Sequence, residues 1–284
     1  MVMSLAVVFD SAGTLLHTYR AVKDVFNNEL RPGIETVTLT FSSPDRVLVV
    51  LHAHSQAIID GDPADYLSTF LVRNRIGFGI SCTRKIITAG EIGDVLYHDR
   101  HARVGDLQEC IRTVWGNCRE ETVVSMNSGV ILNMALRAIE FTVTTGGRPF
   151  EGAREAITTL HQLGVACYIA SGDRLAKLEK MADYLGVPRD RVYGVATPTV
   201  KAQIVNDLKC EYDQVIMVGD GINDICAMNN ADIAILTEEQ PGQRPGELYE
   251  AADHVVESVG DVVEIVRELT RKESDQFSDI KGNM

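Results

Sequence analysis

Aspartates follow two short apolar runs of this sequence and could support phosphate chemistry. The run Leu5–Phe9 stops at Asp10 in VVFDSAGTLL, and the run Val215–Val218 leads into a glycine-rich turn that carries Asp220 and Asp224 in VIMVGDGINDICAMNNADIAIL. Each run predicts a buried strand. Ligands of open α/β sheets bind beyond the carboxyl ends of the strands. The spacing therefore predicts a metal-binding phosphate site built from these carboxylates.

Further polar residues occur at matching points of the sequence. Gly13 and Thr14 form a tight turn whose backbone N–H groups suit an approaching phosphate. The apolar run in VACYIASGD ends at Ser171 and Gly172, and TPTVKAQIVNDLK places Lys201 at the opening of an amphipathic helix. These elements add a hydroxyl group and a positive charge to the predicted site.

Strands and helices must position these side chains. From Phe150 onward, short apolar runs typical of buried strands alternate with segments whose apolar residues have helical spacing. This rhythm predicts an α/β fold, a Rossmann-like core with a parallel sheet and helices on both faces. Residues 17–146 differ, with Val37, Leu39 and Phe41 alternating before RVLVVLH, which predicts a β-hairpin. We expect a core domain of residues 1–16 and 147–284 and an inserted α+β cap domain of residues 17–146.

The ordered motifs resemble those of the haloacid dehalogenase superfamily of phosphotransferases. Asp10, Ser171, Lys201 and the pair Asp220 and Asp224 match its four motifs in sequence order. The segment GDGINDICAMNNADIAIL resembles the phosphorylation domain of P-type ATPases, and the whole chain resembles the soluble P-type-ATPase-like phosphatases of archaea. The resemblance covers residues 1–16 and 147–260 and is weak or absent between them.

The resemblance implies a role for each matched residue. Asp10 would be the nucleophile, and it would share Mg²⁺ with the backbone carbonyl of Ala12 and the side chain of Asp220. Lys201 would hold Asp10 and the phosphate, and Asp224 would orient Lys201 or a metal-bound water. The remaining residues implied as phosphate contacts are Gly13, Thr14, Ser171, Gly172 and Asn223. For Asp224 and Asn223, capping of the following helix is the alternative.

Ala12 departs from the pattern of the ordinary phosphatases of this superfamily. They carry a second aspartate at this position, which protonates the leaving group and later activates water. General acid–base assistance is typically worth about 10²–10⁴ in rate, and alanine provides none. A phosphohydrolase with this sequence is therefore expected to turn over slowly and to favour leaving groups that depart without protonation, such as ADP from ATP, an acyl phosphate or an aryl phosphate.

Two other functions remain open from the sequence. Phosphonoacetaldehyde hydrolases also carry alanine, glycine and threonine in this first motif, but they cleave a carbon–phosphorus bond and require a Schiff-base lysine in the cap, where this chain has Lys23 and Lys85. A non-hydrolytic module that senses phosphate or another ligand is the third interpretation.

Composition limits the partners. The chain has 284 residues, is 45% hydrophobic and carries a net charge of −13, which disfavours nucleic acids and anionic membranes. No apolar stretch reaches the length of about 18 residues that a membrane helix needs, and six cysteines without a C-x-x-C pair suggest reduced thiols. We expect a cytoplasmic protein that acts on a small phosphorylated molecule, while the oligomeric state is not predicted.

Overall fold

The computed structural model describes residues 4–118, 125–173 and 175–282. The strands over these ranges are β1 (Leu5–Phe9), β2 (Leu16–Asp24), β3 (Glu29–Pro32), β4 (Arg46–Leu51), β5 (Phe78–Thr83), β6 (Ser125–Asn133), β7 (Ala138–Pro149), β8 (Ala166–Ala170), β9 (Val192–Tyr193), β10 (Gln214–Gly219), β11 (Ile233–Thr237) and β12 (His254–Val256). The helices are α1 (Thr36–Phe41), α2 (Ser55–Ile59), α3 (Leu67–Arg73), α4 (Ala89–Leu96), α5 (Val104–Asn117), α6 (Ala153–Gln162), α7 (Leu175–Leu185), α8 (Pro198–Leu208), α9 (Ile225–Met228), α10 (Gly246–Glu250) and α11 (Asp261–Gly282).

These elements form two compact units. One, called the core unit here, comprises Met1–His17 and Arg148–Met284, and the other, the inserted unit, comprises Thr18–Gly147. Within the described ranges, no helix combines the length and the apolar character needed to cross a membrane.

The core unit is built on a six-stranded sheet in the order β12-β11-β10-β1-β8-β9, and its neighbouring strands are parallel. Side chains of β1 alternate between two apolar clusters. On one face of the sheet, Leu5, Val7 and Phe9 pack with α6, α7 and α11. On the other face, Ala6 and Val8 pack with α8, α9 and α10. Helices thus cover both faces of the sheet, which explains why its strands read as continuous apolar runs. The predicted α/β fold is confirmed.

The inserted unit has a six-stranded sheet in the order β3-β2-β7-β6-β4-β5. The pairs β2–β3, β4–β5, β4–β6 and β6–β7 are antiparallel, and Val47, Val49 and Leu51 of β4 pack against its helices. The predicted β-hairpin is wrong in its first arm, because Thr36–Phe41 form helix α1, whose N-cap Glu35 accepts a hydrogen bond from the Thr38 N–H. β4 pairs with β5 and β6 on its two sides, which leaves no edge for another strand.

Candidate active site

The parallel sheet of the core unit brings the first and last motifs to one edge. Phe9 of β1 lies beside Val218 of β10, and the N–H of Asp10 donates to the Val218 carbonyl at 2.9 Å. Asp10 therefore begins the loop after β1, and Asp220 begins the loop after β10. Because parallel strands end at the same edge, two carboxylates that are far apart in sequence emerge side by side, as the apolar runs predicted.

Helix α8 delivers the positive charge. Its N-cap Thr197 accepts a hydrogen bond from the Val200 N–H, and Pro198 occupies the first helical position, where its fixed backbone angle favours helix entry. Lys201 follows in the first turn, and its residue is 1% exposed. Its Nζ donates to Asp10 Oδ1 at 2.5 Å and to Asp224 Oδ1 at 2.6 Å. One buried ammonium thus joins carboxylates from the first and last motifs.

Asp224 also holds the turn after β10. Its Oδ2 accepts the backbone N–H groups of Asp220 and Gly221, both at 3.2 Å, and its side chain does not cap α9. A Cβ on Gly219 would lie 2.6 Å from the Asp224 carboxylate carbon, so this close approach requires glycine. The fully buried Asp224 carboxylate therefore orients both Lys201 and the backbone that carries Asp220.

Burial controls the electrostatics of the nucleophile candidate. Burial raises the pKa of Asp10 to about 7, and the charge of Asp224 contributes to this increase while Lys201 opposes it. Burial acts to lower the pKa of Lys201, but the charges of Asp10 and Asp224 outweigh it and hold that pKa above its ordinary value. Lys201 is therefore a permanent cation, whereas the ionisation of Asp10 depends on what neutralises the cluster.

The carboxylates of Asp10, Asp220 and Asp224 are close enough to share one cation. Each offers an oxygen atom, and these atoms lie within 4.8 Å of one another. Gly13 leaves room for this arrangement, since it has φ +88° and an added Cβ would lie 2.0 Å from Asp220 Oδ2. An all-oxygen carboxylate set fits the preference of Mg²⁺ for hard ligands. The donor set therefore fits the predicted magnesium site.

The other predicted phosphate contacts lie on loops of the core unit. Ser171 is buried, and backbone hydrogen bonds tie its loop to β9 and to the segment after it: the Ser171 N–H donates to the Tyr193 carbonyl, and the Ala196 N–H donates to the Ser171 carbonyl. Its Oγ accepts the Asp173 N–H at 3.3 Å, so the hydroxyl hydrogen remains able to donate. Gly172 follows it and is exposed.

Three predicted site residues have less defined surroundings. Thr14 is fully buried, and its hydroxyl has no hydrogen-bond partner among the residues that the structure describes. Asn223 is exposed, with its amide 3.5 Å from Asp224 Oδ1. Ala12 forms an isolated bridge with Leu16. Their predicted contacts with phosphate or metal remain predictions.

Arg244 is the charged neighbour that sequence reasoning missed. It belongs to the loop between β11 and α10, and its Nη2 lies 4.0 Å from Asp220 Oδ2. The surrounding segment TEEQPGQRPGE contains only turn-forming, polar and charged residues, and no motif or periodicity in it indicates a role for the arginine. Only the path of the folded loop brings it to Asp220.

The chain is similar to known proteins over most of its length. Residues 5–232 match the family model for haloacid dehalogenase-like hydrolases. A soluble P-type ATPase-like phosphatase of Methanocaldococcus jannaschii is 31% identical over 283 residues, which are 99% of this chain and 98% of that protein. A copper-transporting ATPase of Helicobacter felis is 27% identical over 237 residues, which are 81% of this chain and 28% of that protein.

Among solved structures, the crystal structure of a zinc-transporting PIB-type ATPase is a neighbour with a TM-score of 0.48 and 17% identity. The match covers 98% of this chain and 42% of that one.

Proposed function

The chain belongs to the haloacid dehalogenase-like hydrolases, and from this premise we propose that it is a magnesium-dependent phosphatase acting through a phosphoaspartyl intermediate on Asp10. The observation that carries the proposal is the buried contact of Lys201 with both Asp10 and Asp224, beside Asp220. Such a cluster is costly to bury unless its charges are used or neutralised. Binding a cation and a phosphate accounts for it.

In the proposed reaction, a carboxylate oxygen of Asp10 attacks the phosphorus atom. A new oxygen–phosphorus bond forms, the bond to the leaving group breaks, and the leaving group departs with the electron pair. Lys201 holds the attacking carboxylate and stabilises the transferring phosphoryl group, and the Ser171 hydroxyl donates to one of its oxygens. Water then hydrolyses the acyl phosphate, which releases phosphate and regenerates Asp10.

Magnesium would be held by Asp10, Asp220 and the carbonyl of Ala12. When bound, it neutralises negative charge on the phosphoryl oxygens. Asp224 acts through its neighbours, because its two oxygens hold Lys201 and the backbone of the Asp220 turn. The chain itself thus provides the nucleophile, the fixed cation and the geometry.

The substrate proposed is a small phosphorylated molecule with a good leaving group. Ala12 provides no general acid, so the leaving group must depart as a stable anion. ATP, acyl phosphates and aryl phosphates satisfy this condition. The 31% identity to a P-type ATPase-like phosphatase supports the ATPase-like assignment.

The carbon–phosphorus cleavage alternative requires a free amine in the inserted unit. The ammonium of Lys23 is buried and donates to Glu109 at 2.5 Å, and Lys85 pairs with Asp45 at 2.5 Å. An ammonium held in an ion pair is not nucleophilic, so neither contact favours this alternative. Borohydride trapping of a substrate adduct on either lysine would reinstate it.

The phosphatase proposal is tested with γ-labelled ATP and Mg²⁺, followed by acid quenching. We expect covalent label that hydroxylamine releases, because an acyl phosphate is sensitive to this reagent. Asp10→Asn must abolish the label. Asp207→Asn, which changes an exposed aspartate on α8, is the matched control and must retain it.

The same proteins are then assayed with p-nitrophenyl phosphate. Absence of label together with aryl phosphate hydrolysis would remove ATP as a substrate and keep the phosphatase. Unchanged Mg²⁺-dependent phosphate release by Asp10→Asn would refute the proposed mechanism. Mg²⁺ or phosphate binding without turnover on any substrate would support the non-hydrolytic sensing module instead.

A further inference from the structure

Arg244 is a buried cation on a loop whose other residues are mostly exposed. Its side chain is only 7% exposed, whereas its neighbours at 241–243 and 245–247 are exposed. Burial of a charged side chain is costly unless it is paired and hydrogen-bonded. Hydrogen-bond acceptors or a negative charge in the core unit must therefore offset the cost of burying Arg244.

The hydrogen bonds of the guanidinium are incomplete. Its Nη2 donates to the Gln240 carbonyl at 2.9 Å, and its Nη1 makes a long contact of 3.4 Å with the Gly242 carbonyl. Its Nε is buried without a partner among the described residues. Backbone carbonyls of the loop thus hold the two terminal nitrogens of the guanidinium. These contacts alone do not explain why the Arg244 side chain is buried.

The carboxylate that faces Arg244 is Asp220. The separation of 4.0 Å between Nη2 and Oδ2 is too long for a hydrogen bond but short enough for a strong charge interaction in a partly buried site. Lys201 already bonds to the other two carboxylates of the cluster. Among the described residues, Lys201 thus pairs with Asp10 and Asp224, and Arg244 faces Asp220.

We propose that Arg244 is an electrostatic positioning residue of the active site, which offsets the charge of Asp220 so that the site holds magnesium loosely and phosphate tightly. This inference rests on the proposed phosphatase function. Of the described residues, the carboxylates of Asp10, Asp220 and Asp224 and the cations Lys201 and Arg244 together carry a charge of −1 when all are ionised, and a divalent cation raises this by two. Without Arg244 the charge of the metal-loaded site would be lower by one unit, so the site would attract a phosphate dianion less strongly.

The proposal predicts opposite changes in two affinities. In Arg244→Gln, we expect Mg²⁺ to bind about tenfold more tightly, because a repelling charge is gone, and inorganic phosphate to bind about tenfold more weakly at saturating Mg²⁺. Isothermal titration calorimetry measures both on the resting protein without turnover. Arg244→Lys keeps the charge and should restore both affinities.

Arg189→Gln is the matched control, since it removes a surface arginine that pairs with Asp183 and is 61% exposed. It should change neither affinity by more than about twofold. A merely structural role for Arg244 would instead weaken both ligands together or lower the melting temperature without rescue by lysine. Either result overturns the inference, as does an unchanged Mg²⁺ affinity in Arg244→Gln.

Failure of this inference is distinguishable from failure of the proposed function. If the unmodified protein releases phosphate with Mg²⁺ through Asp10 but Arg244→Gln leaves both affinities unchanged, only the role of Arg244 is refuted. If the unmodified protein binds no Mg²⁺, both proposals are refuted.

Discussion

Replacement of Asp10 by asparagine is expected to abolish activity and, at the same time, to stabilise the metal-free protein. The pKa of Asp10 is raised to about 7 from an ordinary value of 3.8. A carboxyl group with a raised pKa binds more protons in the folded than in the unfolded state between these two values. The contribution of Asp10 to the stability of the metal-free protein therefore falls as the pH rises from about 4 to 7.

The size of the effect follows from this difference. One pKa unit corresponds to about 1.4 kcal/mol, so an ionised Asp10 costs at most about 4 kcal/mol above pH 7 and about 2 kcal/mol at pH 5.5. Asparagine has nearly the same shape and no charge, and it leaves Lys201 paired with Asp224. Asp10→Asn should regain most of this free energy at pH 8 and about half as much at pH 5.5.

Urea unfolding followed by circular dichroism in EDTA measures this gain at both pH values. Addition of Mg²⁺ should stabilise the unmodified protein more than the variant, because the variant lacks one carboxylate ligand. Asp207→Asn is the control, with an expected change within about 0.5 kcal/mol at either pH. The reasoning is refuted if Asp10→Asn is no more stable than the unmodified protein at pH 8, or if its gain does not depend on pH.

Three further changes test two residues of the site, Gly13 and Ala12, and one residue of the loop after β9, Val195. Gly13→Ala should reduce Mg²⁺-dependent phosphate release by at least about 10²-fold, because the new Cβ would lie 2.0 Å from Asp220 Oδ2 and the φ of residue 13 is +88°. Activity within about threefold of the unmodified protein would contradict this prediction. Ala12→Asp should raise the turnover of alkyl phosphates relative to p-nitrophenyl phosphate by about tenfold or more, because it restores a general acid; an unchanged ratio in steady-state assays would show that another group serves this role. Val195→Gly should stabilise the protein by about 1 kcal/mol in urea unfolding, because a β-branched residue is strained at φ +55° and the side chain, 67% exposed, is removed with little loss of packing. Destabilisation would mean that this conformation is not strained.

Much of the core could be predicted because its strands are buried on both faces. β1 and β10 are short apolar runs, and each is followed directly by a loop that carries an aspartate. Helix α8 was likewise predicted from the amphipathic spacing of its apolar residues. In these segments, local sequence and tertiary environment favour the same structure.

Prediction was poorer in the inserted unit, where local pattern and environment differ. Val37, Leu39 and Phe41 alternate as in a strand, yet these residues lie in α1. An alternation over five residues fits either structure, and the Glu35 cap together with the pairing of β4 on both sides selects the helix. No local signal in the sequence revealed that β4 pairs with β5 and β6.

The sequence by itself determined the residue types of the site, their order and the strand ends that carry Asp10, Ser171 and Asp220, because apolar runs and turns are local properties. The family resemblance implied that Lys201 contacts Asp10 and Asp224, but only the tertiary structure showed one buried ammonium bridging both carboxylates and Arg244 facing Asp220. These contacts join segments far apart in the chain, and their charges interact strongly only after folding has removed them from water.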